Sequence, residues 1–224
     1  ANPPYGIKMD TKLRDQYGLG NKDSYGLFMV LAPKHLLKPK GIMSYIVSDT
    51  WLTIKTHFKL REQMMEKQML NVIRLHQDCF MATVNSCIFH LKNKSNENGN
   101  FIVADLTNIS TKTELTELNE KLFNLHDYIG TATPKFAVYE YEQNLIKTNS
   151  NLPVFMASPK LFTLMNDTTS QTIEKDGVKV RQIEMNGKTI ELVKFGSVAD
   201  IKQGLATGDN QYYLYQNPEA RGNY

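Results

Sequence analysis

Near its start the sequence carries Asn2-Pro3-Pro4-Tyr5, four residues whose types suit one kind of chemistry. An aromatic amine is a poor nucleophile because its lone pair is delocalised into the ring. Two acceptors for the amine hydrogens favour a more pyramidal nitrogen, with the lone pair aimed at an incoming methyl group. The Asn2 side-chain oxygen is one such acceptor, and the Pro3 carbonyl is a second. Two successive prolines fix two φ angles and hold both acceptors rigidly. The Tyr5 ring can stack on a planar base. A plain turn uses the same residue types, and the tetrapeptide occurs by chance in roughly one chain of several hundred. Its meaning therefore depends on its surroundings.

Those surroundings alternate between helix and strand. Asp23 and Ser24 are good N-cap residues before the apolar stretch 25–37, in which Pro33 predicts a kink or break. Lys38-Pro39-Lys40-Gly41 reads as a turn, and residues 42–47 read as a buried strand. A helix is predicted over 58–70, with Phe58, Met65 and Met69 on one side. Strands are predicted over 72–75, 85–91 and 101–106, and a polar loop over 92–100. Leu115, Leu118, Leu122 and Leu125 have helical spacing. Residues 128–152 show no clear period. Residues 178–193 alternate around Asn186-Gly187, a strong hairpin signal. The alternating elements predict an α/β fold with a mostly parallel sheet, and the late hairpin predicts a different, β-rich unit. A boundary is expected between Thr131 and Thr168.

Composition sets the outer limits. The 224 residues are 41% hydrophobic and 22% charged, as in ordinary globular proteins. No apolar run approaches the ~20 residues of a membrane helix. Cys79 and Cys87 sit in one short apolar segment, which is no disulfide framework and suggests a reducing, cytoplasmic setting. A net charge of +3 permits nucleic-acid binding without arguing for it. The five histidines have no metal-ligand spacing, so no metal is expected. Asp49 and Trp51 follow the predicted end of the 42–47 strand, where open α/β sheets form ligand crevices. Trp51 is read as core.

Several segments in order resemble the gamma-type adenine-specific DNA methyltransferases of restriction–modification and related phage-defence systems. Asn2-Pro3-Pro4-Tyr5 resembles their catalytic motif. Asp23-Ser24-Tyr25-Gly26-Leu27-Phe28 is similar to their acidic residue before an aromatic helix. Leu36-Leu37-Lys38-Pro39-Lys40-Gly41 is similar to their Leu-Leu-Lys-Pro-Gly-Gly turn, with Lys40 in place of a glycine. Ile46-Val47-Ser48-Asp49-Thr50-Trp51-Leu52 is similar to their fifth strand and the loop after it. Leu60-Arg61 falls where their next helix carries Leu-Arg, and Cys79-Phe80-Met81 precedes a strand as theirs does.

The resemblance implies the second half of a Rossmann-like S-adenosylmethionine-dependent methyltransferase sheet over residues 1–130. Residues 131–224 would then be a connecting segment and the start of a β-rich target-recognition domain. It implies an enzyme that flips the target adenine of double-stranded DNA into a pocket. Asn2, Pro3, Pro4 and Tyr5 would be catalytic, with Tyr5 stacking on the base and Phe80 packing near it. An ordinary core aromatic is the plain alternative for Phe80. The run 203–210 is similar to the start of the recognition region, where Gly204, Thr207, Gly208 and Asn210 could approach a DNA phosphate. A simple turn is the alternative there.

The family places its donor-binding glycine loop and ribose-binding acidic residue before the Asn-Pro-Pro-Tyr motif, where this sequence has only Ala1. Gly18-Leu19-Gly20 lies after the motif and reads as a loop. The chain is therefore expected to be a fragment or one half of a split enzyme, inactive alone, with S-adenosylmethionine bound mainly by the missing half. That half, and a restriction nuclease or other defence subunit, are the implied protein partners. Two other readings stay open: an amino-methyltransferase acting on RNA or protein glutamine, and a non-catalytic DNA-binding or assembly module with a decayed motif.

Overall fold

The computed structural model describes residues 1–4, 6–20, 23–79, 85–95, 99–148, 158–166, 170–185 and 187–199. The chain divides into two compact units, Ala1–Asn166 and Asp167–Tyr224. In the first unit the helices are α1 (Thr11–Gln16), α2 (Ser24–Leu31), α3 (Thr50–Thr53), α4 (Phe58–Met65), α5 (Leu115–Phe123), α6 (Gln143–Lys147) and α7 (Pro159–Asn166). Its strands are β1 (Ile42–Ser48), β2 (Lys67–Leu75), β3 (Ser86–Ser95), β4 (Asn100–Leu106) and β5 (Ala137–Glu142), in sheet order β1-β3-β2-β4-β5.

The sheet is mixed rather than mostly parallel. Strands β1, β2 and β4 run one way, but β3 is inserted antiparallel between β1 and β2, and β5 is antiparallel to β4. The reason lies in the connections. A parallel crossover needs a dozen or more residues, usually with a helix. The link between β2 and β3 spans only residues 76–85, so β3 turns straight back beside β2.

Both faces of the sheet are covered. On one face Met43, Val47, Val72, Phe89, Leu91, Phe101, Val103 and Tyr141 pack with Tyr25, Met29 and Val30 of α2, Trp51 and Leu52 of α3, and Leu60, Met64 and Met65 of α4. On the other, Ile73, Leu75, Ile102, Ala104, Leu106 and Val138 pack with Leu118 of α5 and with Leu125. Trp51 is fully buried and its indole N–H points at the Cys87 sulfur, 3.2 Å away, so it is core, as read. Both cysteines are free thiols, and burial pushes the Cys87 thiol up to about 12.

Pro33 ends α2 as anticipated, and the chain continues as a wider π-type turn over Ala32–Leu36. Two boundaries differ from the pattern. The helix predicted to reach residue 70 stops at Met65, and residues 67–70 belong to β2. The predicted loop at 92–100 is partly strand, because β3 runs on to Ser95.

Lys40, the residue in the glycine position of the 38–41 turn, adopts φ +63°. The turn is held from outside by Asn93. Its side-chain amide donates to the Leu37 carbonyl at 3.0 Å, and its carbonyl accepts from the Lys40 N–H at 2.8 Å. A left-handed lysine costs about 1–2 kcal/mol, and glycine gives back about half of that in unfolded-state entropy. Lys40→Gly should therefore stabilise the unit by about 0.5–1 kcal/mol. Urea denaturation reads this, and an unchanged or lower midpoint would contradict it.

The second unit contains β6 (Thr172–Lys175), β7 (Val178–Met185) and β8 (Lys188–Val193) in an antiparallel meander. The β7–β8 hairpin falls where Asn186-Gly187 signals it, with Gly187 at φ +71°. The β6–β7 turn is Asp176-Gly177, at φ +52° and +75°. Asp-Gly is the same kind of hairpin signal, and the strand before it is only four residues long.

Candidate active site

The main chain enters the motif as a neighbour of β1. The Ala1 nitrogen donates to the Ser44 carbonyl at 2.6 Å, and the Ala1 carbonyl accepts from the Ile46 N–H at 3.0 Å. This is the bonding pattern of a parallel pair, so the chain from Ala1 onward runs toward the C-terminal end of β1. Asn2 is exposed, Pro3 is buried and Pro4 is exposed. The segment after the motif is tied to the start of α2. The Ser24 hydroxyl donates to the Pro4 carbonyl at 2.7 Å, the Ser24 N–H donates to the Ile7 carbonyl at 3.1 Å, and Lys8 forms an antiparallel bridge with Asp23.

Because β1, β2 and β4 are parallel, their C-termini share one end of the sheet, the end toward which Asn2, Pro3 and Pro4 lead. Charged groups gather there. Arg74, near the end of β2, places its guanidinium against Asp49, just past β1, at 2.9 Å and against Asp105 of β4 at 2.8 Å. Asp105 also accepts from the Thr107 N–H and hydroxyl. Asp78 sits in the connection after β2 and is a hub. It accepts from the Ser110 hydroxyl and from the Thr111 N–H at 2.9 Å and hydroxyl, and it pairs with His76 at 2.9 Å. The connection that runs toward Phe80 is thus fastened to the one that leaves β4. Burial alone would raise the Asp78 pKa. The hydrogen bonds from Ser110, Thr111 and His76 outweigh it and hold the carboxyl well below the usual carboxylate range.

A second, buried polar chain joins α2 to the end of β1. The Tyr25 hydroxyl lies 3.1 Å from the Thr50 hydroxyl and 3.2 Å from the His57 Nε2, and Thr50 is 2.9 Å from the Ser48 hydroxyl. Burial, and then the nearby Arg61 charge, lower the His57 pKa to about 4. Arg61 is fully buried and donates to the Trp51 and Ile54 carbonyls at 2.6 and 2.9 Å, which explains an arginine in that helix.

His57 and Asp78 both contribute to the acid response, beside His90, whose pKa burial also lowers. Between the ordinary histidine value of 6.5 and about 4, the unfolded chain binds more protons at His57 than the folded one. His57 therefore contributes stability that is full above about pH 6.5 and is lost as pH falls toward 4. The Asp78 contribution is present above its unfolded value of 3.8 and is lost below it. Urea unfolding across the acid range should show both phases, with His57→Gln flattening the upper and Asp78→Asn the lower. Constant stability from pH 6.5 to 4 would contradict the His57 assignment.

Of the residues singled out from the sequence, Asn2, Pro3 and Pro4 lie together beside β1. Tyr5, Phe80, Gly204, Thr207, Gly208 and Asn210 lie outside the described residues. Sequence reasoning missed Ser24 as a partner of the motif, and it missed Asp78 and Arg74. Their partners lie 20 to 34 residues away, beyond any local spacing rule. Gly20 is no cofactor cradle: a Cβ there would stand 2.2 Å from the Thr56 carbonyl oxygen, so the glycine allows close packing. Among the described residues no group of His, Cys, Asp or Glu could hold a metal ion, and no helix is long and apolar enough to cross a membrane.

The first unit is a mixed α/β sheet covered by helices, consistent with part of a Rossmann-like fold. Residues 1–80 match the family described as Eco57I restriction-modification methylase, so the resemblance seen in the motifs holds over that segment. No curated protein matches the chain. Among solved structures, the chain is similar in fold to the type IIG restriction endonuclease BpuSI, with a TM-score of 0.51 and 14% identity over 67% of this chain and 19% of that one. It is also similar to the type I restriction-modification methyltransferase subunit from Streptococcus thermophilus, with a TM-score of 0.51 and 18% identity over 69% of this chain and 36% of that one. A third match is the M protein of the type I restriction enzyme EcoKI, with a TM-score of 0.51 and 15% identity over 73% and 45%. At these identities the likeness is one of fold. The chain covers less than half the length of each of the three.

Proposed function

We propose that this chain is the C-terminal part of the catalytic domain of an adenine-specific DNA methyltransferase, followed by the start of its target-recognition region. The reaction is transfer of a methyl group from S-adenosylmethionine to the 6-amino group of an adenine flipped out of double-stranded DNA. The observation that carries this reading is the anchoring of Asn2-Pro3-Pro4 beside β1, heading for the end of the sheet where the β1, β2 and β4 connections meet. Open α/β sheets bind ligands at that end. The family match over residues 1–80 and the methyltransferase fold support it.

In this reading the Asn2 side-chain oxygen and the Pro3 carbonyl accept hydrogen bonds from the target amine. Tyr5 stacks on the base, and Phe80 packs near it. Gly204, Thr207, Gly208 and Asn210 approach the DNA backbone. The methyl donor supplies the electrophilic carbon and is held mainly by a portion of the enzyme that this chain does not contain. That portion, duplex DNA and a nuclease or other defence subunit are its partners. Residues 1–130 serve catalysis, and residues 131–224 lead into recognition. The setting is the cytoplasm.

The test is product analysis. The complete methyltransferase containing this segment is incubated with duplex DNA and labelled donor, and the DNA is digested to nucleosides. Label in N6-methyl-2′-deoxyadenosine is the expected result. Label in methylcytosine, or transfer to RNA or protein glutamine instead of DNA, would overturn the proposal, and no transfer at all would favour a binding or assembly module.

A further inference from the structure

The motif has an unusual mechanical problem. Pro3 and Pro4 carry no N–H, so across them the main chain can be fastened only through carbonyl oxygens. The structure fastens it on both sides. Before the motif, the Ala1 carbonyl is held by the Ile46 N–H of β1. At its far end, the Pro4 carbonyl is held by the Ser24 hydroxyl at 2.7 Å.

Ser24 is itself fixed. It is the first residue of α2, yet α2 takes its N-cap position from Asp23, and the Ser24 side chain is directed at Pro4 instead. Its N–H donates to the Ile7 carbonyl. Its neighbour Tyr25 is buried and reaches Thr50 and His57, and Thr50 reaches Ser48 at the end of β1. Both fastenings of the motif therefore lead back to the same strand, one at Ile46 and one at Ser48.

We propose that Ser24 is a positioning residue for methyl transfer: its hydroxyl holds the Pro4 carbonyl, so the Asn2 side chain and the Pro3 carbonyl keep the orientation that receives the target amine. The inference rests on the reading of Asn2-Pro3-Pro4 as the catalytic motif. Ser24 touches neither substrate nor donor. Losing its bond loosens the acceptors and slows the chemical step, while capture of DNA and donor persists.

The test uses the complete methyltransferase and compares Ser24→Ala, Ser24→Thr and Asn2→Ala. Ser24→Ala should lower the single-turnover methylation rate roughly tenfold, with the KM for DNA and the donor Kd changed less than about twofold, a loss of one hydrogen bond's worth of orientation. Ser24→Thr keeps the hydroxyl and should restore the rate. A wild-type rate for Ser24→Ala, with Asn2→Ala inactive, would overturn the positioning role and leave the motif reading intact. Equal losses in Ser24→Ala and Ser24→Thr, tracking a lowered melting temperature, would reduce Ser24 to a structural residue and also overturn it. Full activity in Asn2→Ala would overturn the motif reading and this inference together.

Discussion

Replacing Asn2 by alanine in the complete methyltransferase should reduce the single-turnover rate by about 10²–10³-fold while DNA binding persists. On the proposed reading, the change removes one of two acceptors for an amine whose lone pair must be freed from the adenine ring. Deleting a single hydrogen-bonding group that acts on the reacting atoms typically has that effect. Asn2 is exposed, so its loss should leave the fold intact. Retention of most activity would mean that the amine is held elsewhere.

Replacing Arg74 by leucine should give the largest loss of stability near the site. The guanidinium lies between Asp49 and Asp105, and the Arg74 and Asp49 side chains are only 11% and 12% exposed. Removing one partner of a buried ion pair leaves a charge with little solvent to replace it, at a cost of about 3–5 kcal/mol. Asp105 is 34% exposed and contributes the smaller share, so the lower end of that range is expected. Chemical denaturation measures it. Adding Asp49→Asn to Arg74→Leu should recover part of the loss, since the stranded charge is then gone. A loss under about 1 kcal/mol would show that water compensates Asp49.

The contrast between these residues shows what the sequence could reveal. Asn2-Pro3-Pro4-Tyr5 stands out in the sequence because four adjacent residues have types suited to one chemistry, and β1 because apolar residues run together between a turn and a polar end. The junction of α4 and β2 was not legible. Met65 and Met69 fit a helical period, and nothing like glycine or proline separates the elements. The helix stops at Met65 because Gln143, 78 residues away in sequence, reaches in. Its side-chain amide donates to the Met65 carbonyl at 2.9 Å, and its oxygen accepts from the Met69 N–H at 3.0 Å. A buried, non-local side chain sets that boundary. Strand β5 escaped notice for another reason: Val138 faces one core and Tyr141 the other, so apolar residues occupy both faces and no alternation shows.

Ser24, Arg74 and Asp78 were illegible for the same physical reason. A serine before an apolar run is a helix cap by local rules, and only the folded chain brings Pro4 to it. Asp78 looks like a solvated loop residue until the end of β4 delivers Ser110 and Thr111.

The most direct measurement is the position of the target amine. In a crystal structure of the complete methyltransferase with duplex DNA and an unreactive donor analogue, the target adenine should stand outside the helix. Its N6 should lie within about 2.7–3.2 Å of both the Asn2 side-chain oxygen and the Pro3 carbonyl. A target base still stacked in the duplex, or an amine bound away from the Asn2 side chain, would contradict the assignment.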